Sequence, residues 1–143
     1  MAHLGKSARV ALAAFAVLAL ACGRWGEEPS LAEAAHALCE ASRGVDLTEG
    51  TWTNADVRKA LEGLLDELRD IDVPEALREY RSTQIEAIEA FVELLADADD
   101  DAVFVPSAGA FTLAYRDGVA RVTAGLSEEA VEALEAAGCD LGR

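Results

Sequence analysis

The strongest constraint on the fold of this chain is the helical spacing of its apolar residues. Between residues 54 and 70 the apolar side chains recur at steps of three and four, along one face of a helix: Val57, Leu61, Leu64, Leu65 and Leu68. An isolated amphipathic helix gains little stability in water, so several such segments must pack their apolar faces together. The pattern predicts an all-α fold, a small up-down bundle of four main helices plus a short C-terminal helix.

Capping residues mark the predicted helix ends. Ser30 and Glu33 have the spacing of a capping box, and Pro74 suits the first turn of a helix. Gly44 and Gly138 follow helical segments, at the C′ position where glycine commonly ends a helix. We expect helices at about 30–43, 54–70, 74–96, 107–126 and 127–138.

The segment from 111 to 124 has two interpretations. Its apolar residues recur at helical spacing, which predicts a helix. The pair Asp117-Gly118 is typical of a type I′ turn, so the alternative is an α+β fold with a hairpin at about 111–124 and a further strand at 103–105. We favour the helix, because an isolated two-stranded hairpin is only marginally stable.

The N-terminal segment has the organisation of a secretory signal peptide. Lys6 and Arg9 form a basic start, and residues 10–21 are uncharged and mostly apolar. This run is too short to span a bilayer, which needs roughly 20 apolar residues. Its closing sequence LALAC, residues 18–22, resembles the lipobox of bacterial lipoproteins, in which the cysteine is lipidated and becomes the mature N-terminus.

The lipoprotein resemblance implies a division into three parts and a location. Residues 1–21 would be the signal peptide, 22–29 a lipidated tether and 30–143 the helical bundle domain. The lipid on Cys22 would anchor the protein to a bacterial membrane on its extracytoplasmic side, in the cell envelope. Residues 19–21 also fit ordinary signal cleavage, so a freely secreted protein is the alternative.

The three cysteines of the chain are an odd number for an exported protein. If Cys22 carries lipid, Cys39 and Cys139 remain as a pair in an oxidising compartment, and we expect them to form a disulfide. This bridge would connect the first helix of the domain to the last. It would close a loop of about 100 residues, worth up to ~4.7 kcal/mol in the chain-entropy model.

The charge of the chain excludes one class of partner. Removal of residues 1–21 takes away Lys6 and Arg9 and no acidic residue, so the net charge changes from −15 to −17. A surface this acidic is unsuited to nucleic acid and to anionic membrane lipids. The predicted partners are therefore the membrane through the N-terminal lipid, and an envelope protein; no nucleic acid is expected.

Two acidic patterns are typical of metal sites but incomplete. His36 follows Glu33 by three residues, as in di-iron bundles, yet the mature chain has no second histidine to complete such a site. Three aspartates stand at positions 1, 3 and 5 of an EF-hand-like series, whose later glycine and glutamate positions are Ala102 and Ala108: Asp97, Asp99 and Asp101. We expect no resident metal or other cofactor, and these three aspartates are at most a loose cation site.

The sequence does not pair a nucleophile with a general base, as a hydrolytic enzyme would require. Tyr80 and Gln84 lie on the apolar face of the third helix, where they would line a small internal pocket and are the candidate ligand residues. The helix start Pro74, Leu77, Tyr80 and the terminal Gly138-Cys139 resemble uncharacterised small helical lipoproteins of bacteria. That resemblance implies a helical bundle and brings no known activity.

These observations together predict a non-enzymatic, lipid-anchored protein of the cell envelope that acts through protein contacts. The alternative is an envelope lipoprotein that binds a small ligand or a cation, at Tyr80 and Gln84 or at the aspartates of 97–101. An envelope hydrolase is the least supported class, because no catalytic arrangement accompanies it.

Overall fold

The computed structural model describes residues 26–47, 50–105 and 110–142. These ranges contain five α-helices: α1 Leu31–Arg43, α2 Asn54–Asp70, α3 Glu75–Ala96, α4 Ala110–Thr123 and α5 Glu128–Ala137. They contain no β-strand, and Thr53 and Val103 form an isolated antiparallel bridge. The prediction of a small all-α bundle is confirmed. The hairpin alternative is wrong, because the segment from 111 to 123 is helical.

Several predicted features fall outside the described ranges. The signal peptide, Cys22 and the first residues of the tether precede residue 26, so their predicted roles stay predictions. The expected start of the fourth helix near Ser107 also lies outside the described residues, and α4 is assigned from Ala110 onward.

Side-chain caps mark the starts of α1 and α2. At α1, the Ser30 hydroxyl accepts a hydrogen bond from the Glu33 backbone N–H, and the Glu33 carboxylate accepts one from the Ser30 N–H, as predicted. Thr53 and Asp56 form a second capping box at α2, which the sequence analysis did not identify. Pro74 stands one residue before α3, at its N-cap.

The two predicted glycine stops behave differently. Gly138 ends α5 with φ of +76°, in the left-handed conformation that glycine adopts without steric cost. Gly44 follows α1 directly, as predicted, but with φ of −62° it stays in the right-handed region. The Gly44 N–H instead bonds the carbonyl oxygens of Glu40 and Ala41, in a right-handed continuation of the last turn.

Helix α3 is the centre of the bundle, with contacts to α1, α2 and α4, while α5 packs on α1. Helices α2 and α3 are antiparallel: Arg58 near the start of α2 donates to the Leu95 carbonyl, and Arg81 near the start of α3 donates to that of Ile71. The largest fully buried side chains come from all five helices: Leu38, Val57, Leu68, Leu77, Tyr80, Gln84, Val119 and Leu134.

Cys39 in α1 and Cys139 after α5 are joined at disulfide distance, with Cα atoms 5.2 Å apart and a sequence separation of 100. Beyond the cysteine, the chain continues as a C-terminal tail, residues 139–142, over α3 and α4. Leu141 of this tail is buried, and the Tyr80 hydroxyl donates to the Asp140 carbonyl at 3.2 Å. The tail therefore belongs to the folded core.

Removal of the disulfide should destabilise the protein. We expect the double variant Cys39→Ser, Cys139→Ser to lose roughly 2–5 kcal/mol of unfolding free energy, because the unfolded chain regains the freedom of a long loop. Urea unfolding measures this loss. Reductant should lower the wild-type midpoint and leave that of the variant unchanged. An equal midpoint for wild type and variant in oxidising buffer would contradict a stabilising bridge.

Candidate functional site

The structure brings Tyr80 and Gln84 together in one cavity, which we call the Gln84 cavity. It encloses about 230 Å³ between α1, α3, α4 and the start of the C-terminal tail. Its lining consists of Cys39, Ser42, Arg43, Tyr80, Gln84, Tyr115, Gly138, Cys139 and Asp140. Tyr80 and Gln84 are almost fully buried, with exposed fractions of 1% and 2%, whereas Arg43, Gly138 and Asp140 are exposed. The exposed residues therefore form the mouth and the buried ones the base.

Hydrogen bonds connect the polar groups at the base of the cavity. The Gln84 amide nitrogen donates to the Ser42 hydroxyl at 3.3 Å and lies 3.5 Å from the Tyr115 hydroxyl, to which it also donates. The Tyr80 hydroxyl donates to the Asp140 backbone carbonyl. One buried amide thus links α3 to α1 and to α4, while Tyr80 links α3 to the C-terminal tail.

The Gln84 carbonyl oxygen is the exception in this network. Oε1 is buried and has no hydrogen-bond partner. If the side-chain amide is rotated by 180°, its nitrogen takes the position of Oε1. The N–H groups there also lack a partner, because the Ser42 and Tyr115 hydroxyls lie on the other side of the amide. In either orientation one polar atom of a buried side chain is left without a partner, which costs about 1–3 kcal/mol.

Burial also changes the acidity of both tyrosines. Loss of hydration raises the pKa of Tyr80, and the nearby Tyr115 and Asp140 raise it further. Burial raises the pKa of Tyr115 as well, and the hydrogen bond from Gln84 opposes that shift in part. Both hydroxyls are therefore neutral at physiological pH, so the cavity wall that they form carries no phenolate charge.

The predicted cation site on the 97–101 segment is not assembled. Asp99 and Asp101 are exposed, and the Asp99 carboxylate accepts a hydrogen bond from the Asp101 N–H. The Asp99 backbone carbonyl accepts from the Asn54 side chain at 2.8 Å, which ties this turn to the start of α2. Among the described residues no three His, Cys, Asp or Glu side chains converge as a metal site requires.

His36 lies on the exposed side of α1. The glutamate three residues before it and the glutamate four residues after it both have other partners. Glu33 belongs to the capping box with Ser30, and Glu40 forms an ion pair with Arg43 at 2.7 Å. In the Glu33–His36 pattern, the glutamate therefore serves to cap the start of α1.

A second concavity, the α3–α4 groove, was not identified from the sequence. It measures about 510 Å³ and is lined by Thr83, Glu86, Ala87, Ala90, Phe91, Leu94, Tyr115, Gly118, Arg121 and Val122. Leu94, one of the lining residues, is 67% exposed, so the groove has an apolar side chain open to solvent at its surface. The small residues Ala87, Ala90 and Gly118 leave the space between the two helices open.

The two tyrosines should resist ionisation in the folded protein. Since their folded-state pKa values lie above the ordinary value of 10.0, their contribution to stability is complete below pH 10 and declines as pH rises through the folded values. Because the chain has two tyrosines, ultraviolet titration reads both. The native protein should show no tyrosinate step near pH 10, whereas the protein in guanidinium should show a two-tyrosine step there. A step near pH 10 with the helical circular dichroism retained would contradict this.

Comparison with protein-family models, with curated proteins and with solved structures finds no match to this chain. Its function must therefore be inferred from its own residues. The three features that carry information are the lipobox-like segment, the α3–α4 groove and the Gln84 cavity.

Proposed function

We propose that this chain is a non-enzymatic, lipid-anchored protein of the bacterial cell envelope, and that it acts through protein contacts made by the α3–α4 groove. The lipobox-like LALAC sequence at residues 18–22 supports the anchor. None of the helices in the described ranges is long and apolar enough to cross a membrane. The observation that carries the proposed contact is the exposed Leu94 beside an open apolar groove.

The lining of the groove suits the docking of a helix. Alanine and glycine at positions 87, 90 and 118 allow close approach of a partner backbone, and the apolar walls offer burial to its side chains. Val103 and Val105, in the segment between α3 and α4, are also strongly exposed, with fractions of 59% and 71%. Exposed apolar side chains that form one contiguous patch, rather than single ones, mark interaction surfaces.

Charge beside the groove indicates the chemistry of the partner. Glu79, Glu86 and Glu93 recur at steps of seven along α3, so they form one exposed acidic row next to the groove. On the α4 side, the charged lining residue is Arg121. We therefore assign the groove to an amphipathic helix of a partner protein, with basic residues along the edge that faces α3.

The proposal assigns no catalytic residue and no cofactor. His36, the one histidine after the signal segment, is exposed and lines neither the groove nor the Gln84 cavity. The Ser42 and Tyr80 hydroxyls of the cavity both donate to backbone carbonyls, so neither gives its proton to a side chain that could serve as a base.

Site-specific crosslinking in living cells tests the groove. A photoreactive amino acid at Ala90, in the groove, should capture a protein of the envelope, and the adduct should contain a segment with helically spaced apolar and basic residues. Leu94→Glu in the same chain should reduce this adduct at least tenfold, because it places a charge in the apolar contact. The matched change Ala136→Glu, on the exposed side of α5, should leave it unchanged.

The controls separate a specific contact from general proximity in the envelope. Both variants should retain the helical circular dichroism and the melting temperature of the wild type, because both positions are exposed. A crosslink that survives Leu94→Glu, or one of the same partner from a probe at position 136, would contradict the assignment of the contact to the groove.

A further inference from the structure

A further concavity, which we call the tether pocket, lies where α2 ends and α3 begins. It measures about 470 Å³, and residues 26–29 of the tether form part of its wall. The pocket differs from the groove and the Gln84 cavity in the number of charged side chains that line it. Two are positive and three are negative: Arg78, Arg81, Glu27, Glu28 and Asp72.

The opposite charges of the tether pocket do not pair with one another. Among the described residues, neither arginine forms an ion pair with a carboxylate that lines the pocket. Arg78 Nη1 lies 3.8 Å from the carboxylate of Glu75, and the two side chains are 57% and 87% exposed, so this contact is weak. Both signs of charge therefore remain available to a bound molecule.

Arg81 is held in position by the end of α2. Its Nη1 donates to the Ile71 backbone carbonyl, while its Nε is buried and out of reach of the pocket. The other terminal nitrogen, Nη2, is not buried and has no hydrogen-bond partner in the described part of the chain. Nη2 is thus the donor that Arg81 offers. Arg78 precedes it by three residues, so the two guanidinium groups leave the same side of α3.

We propose that the tether pocket binds the zwitterionic headgroup of a membrane phospholipid, with the phosphate on Arg78 and Arg81 and the amine on the carboxylates. Guanidinium groups suit phosphate oxygens, and carboxylates accept hydrogen bonds from an ammonium group. A purely anionic ligand would meet three carboxylates, and a purely cationic one two guanidinium groups. A zwitterion can place each of its charges beside the opposite charge of the protein.

The connection to the lipid anchor places this pocket near the membrane. Cys22 precedes Gly26, the first lining residue, by four residues, which span at most about 14 Å when extended. The inference rests on the proposed function, in which the acylated Cys22 lies at the bilayer surface. Phospholipid headgroups are then within reach of the pocket. A bound headgroup would orient the bundle with this end toward the membrane.

The volume of the pocket suits one headgroup. At about 30 Å³ per water in the liquid, 470 Å³ has room for roughly 15 heavy atoms, and glycerophosphoethanolamine has about 13. A zwitterion also agrees with the charge of the mature protein. A net charge of −17 disfavours contact with anionic lipids and adds no net repulsion for a neutral headgroup.

The first experiment uses the acylated protein, purified in a maltoside detergent that has neither phosphate nor amine. It is titrated with glycerophosphoethanolamine, with glycerophosphoglycerol as an anion without an amine, and with ethanolamine as a cation without a phosphate. Glycerophosphoethanolamine should shift the NMR signals of the Arg78 and Arg81 guanidinium groups in a saturable manner and raise the melting temperature. The other two probes at equal concentration and ionic strength should do neither. An equal response to glycerophosphoglycerol would overturn the proposal.

Matched variants separate binding from folding. Arg78→Gln removes a phosphate partner, so the affinity for glycerophosphoethanolamine should fall by about tenfold or more. Lys59→Gln makes the same change of charge near the start of α2, at the other end of that helix, and should alter the affinity less than about twofold. Both positions are exposed, so neither variant should change the melting temperature without ligand. Wild-type affinity in Arg78→Gln would contradict the assigned phosphate contact.

A change of selectivity tests the carboxylate half of the pocket. Asp72→Asn removes one negative charge, so it should weaken the binding of glycerophosphoethanolamine and raise the relative affinity for glycerophosphoglycerol. A residue with only a structural role would not change this ratio. An unchanged ratio would therefore overturn the assignment of the amine to the carboxylates.

The membrane as the source of the headgroup is tested by competition. In nanodiscs of phosphatidylethanolamine, added glycerophosphoethanolamine should no longer shift the arginine signals, because the lipid occupies the pocket. In nanodiscs of phosphatidylglycerol the full response should remain. A full response in both would overturn a membrane lipid as the ligand. The soluble probe needs no anchor, so failure of its titration with acylated protein overturns this pocket alone. Binding by a protein without acyl chains overturns the anchor alone.

Discussion

The link between Cys39 and Cys139 fixes where the chain goes after its last helix. Because Cys139 is held against α1, the residues that follow it lie over α3 and α4. There Leu141 is buried, and the backbone carbonyl of Asp140 accepts a hydrogen bond from the Tyr80 hydroxyl. The Gln84 cavity exists between these elements, with both cysteines in its wall. One covalent contact thus supports the closure of the bundle, the placement of its tail and the walls of its polar cavity.

Helix α3 carries the two concavities on adjacent faces, and Tyr115 of α4 lines both. Its hydroxyl accepts from the Gln84 amide at the base of the cavity, while the same residue contributes to the groove that contains Leu94. The two surfaces differ in chemistry: one is buried and polar, the other open and apolar beside an acidic row. The open apolar surface of the groove is why we assign the partner helix to it.

The sequence predicted those features that depend on local chemistry. The stripe of 54–70 and the Ser30–Glu33 box are local signals, and the structure has both. The turn signal Asp117-Gly118 was overridden, because α4 buries Val119 completely in the bundle core and a hairpin would lose that contact. The cavity and the groove depend on which helices become neighbours. Neither apolar spacing nor capping residues specify those contacts, so the sequence indicated Tyr80 and Gln84 but not their partners.

Our central proposal is that the protein is exported and anchored by Cys22, and that the Cys39–Cys139 disulfide closes its bundle. The most direct test is the unreduced intact mass of the protein extracted from membranes of the bacterium that makes it. We predict a chain that begins at Cys22, with the mass increment of two or three acyl chains and two hydrogens fewer than the dithiol form. A chain that retains residues 1–21, or an unacylated chain with two free thiols, would contradict the claim.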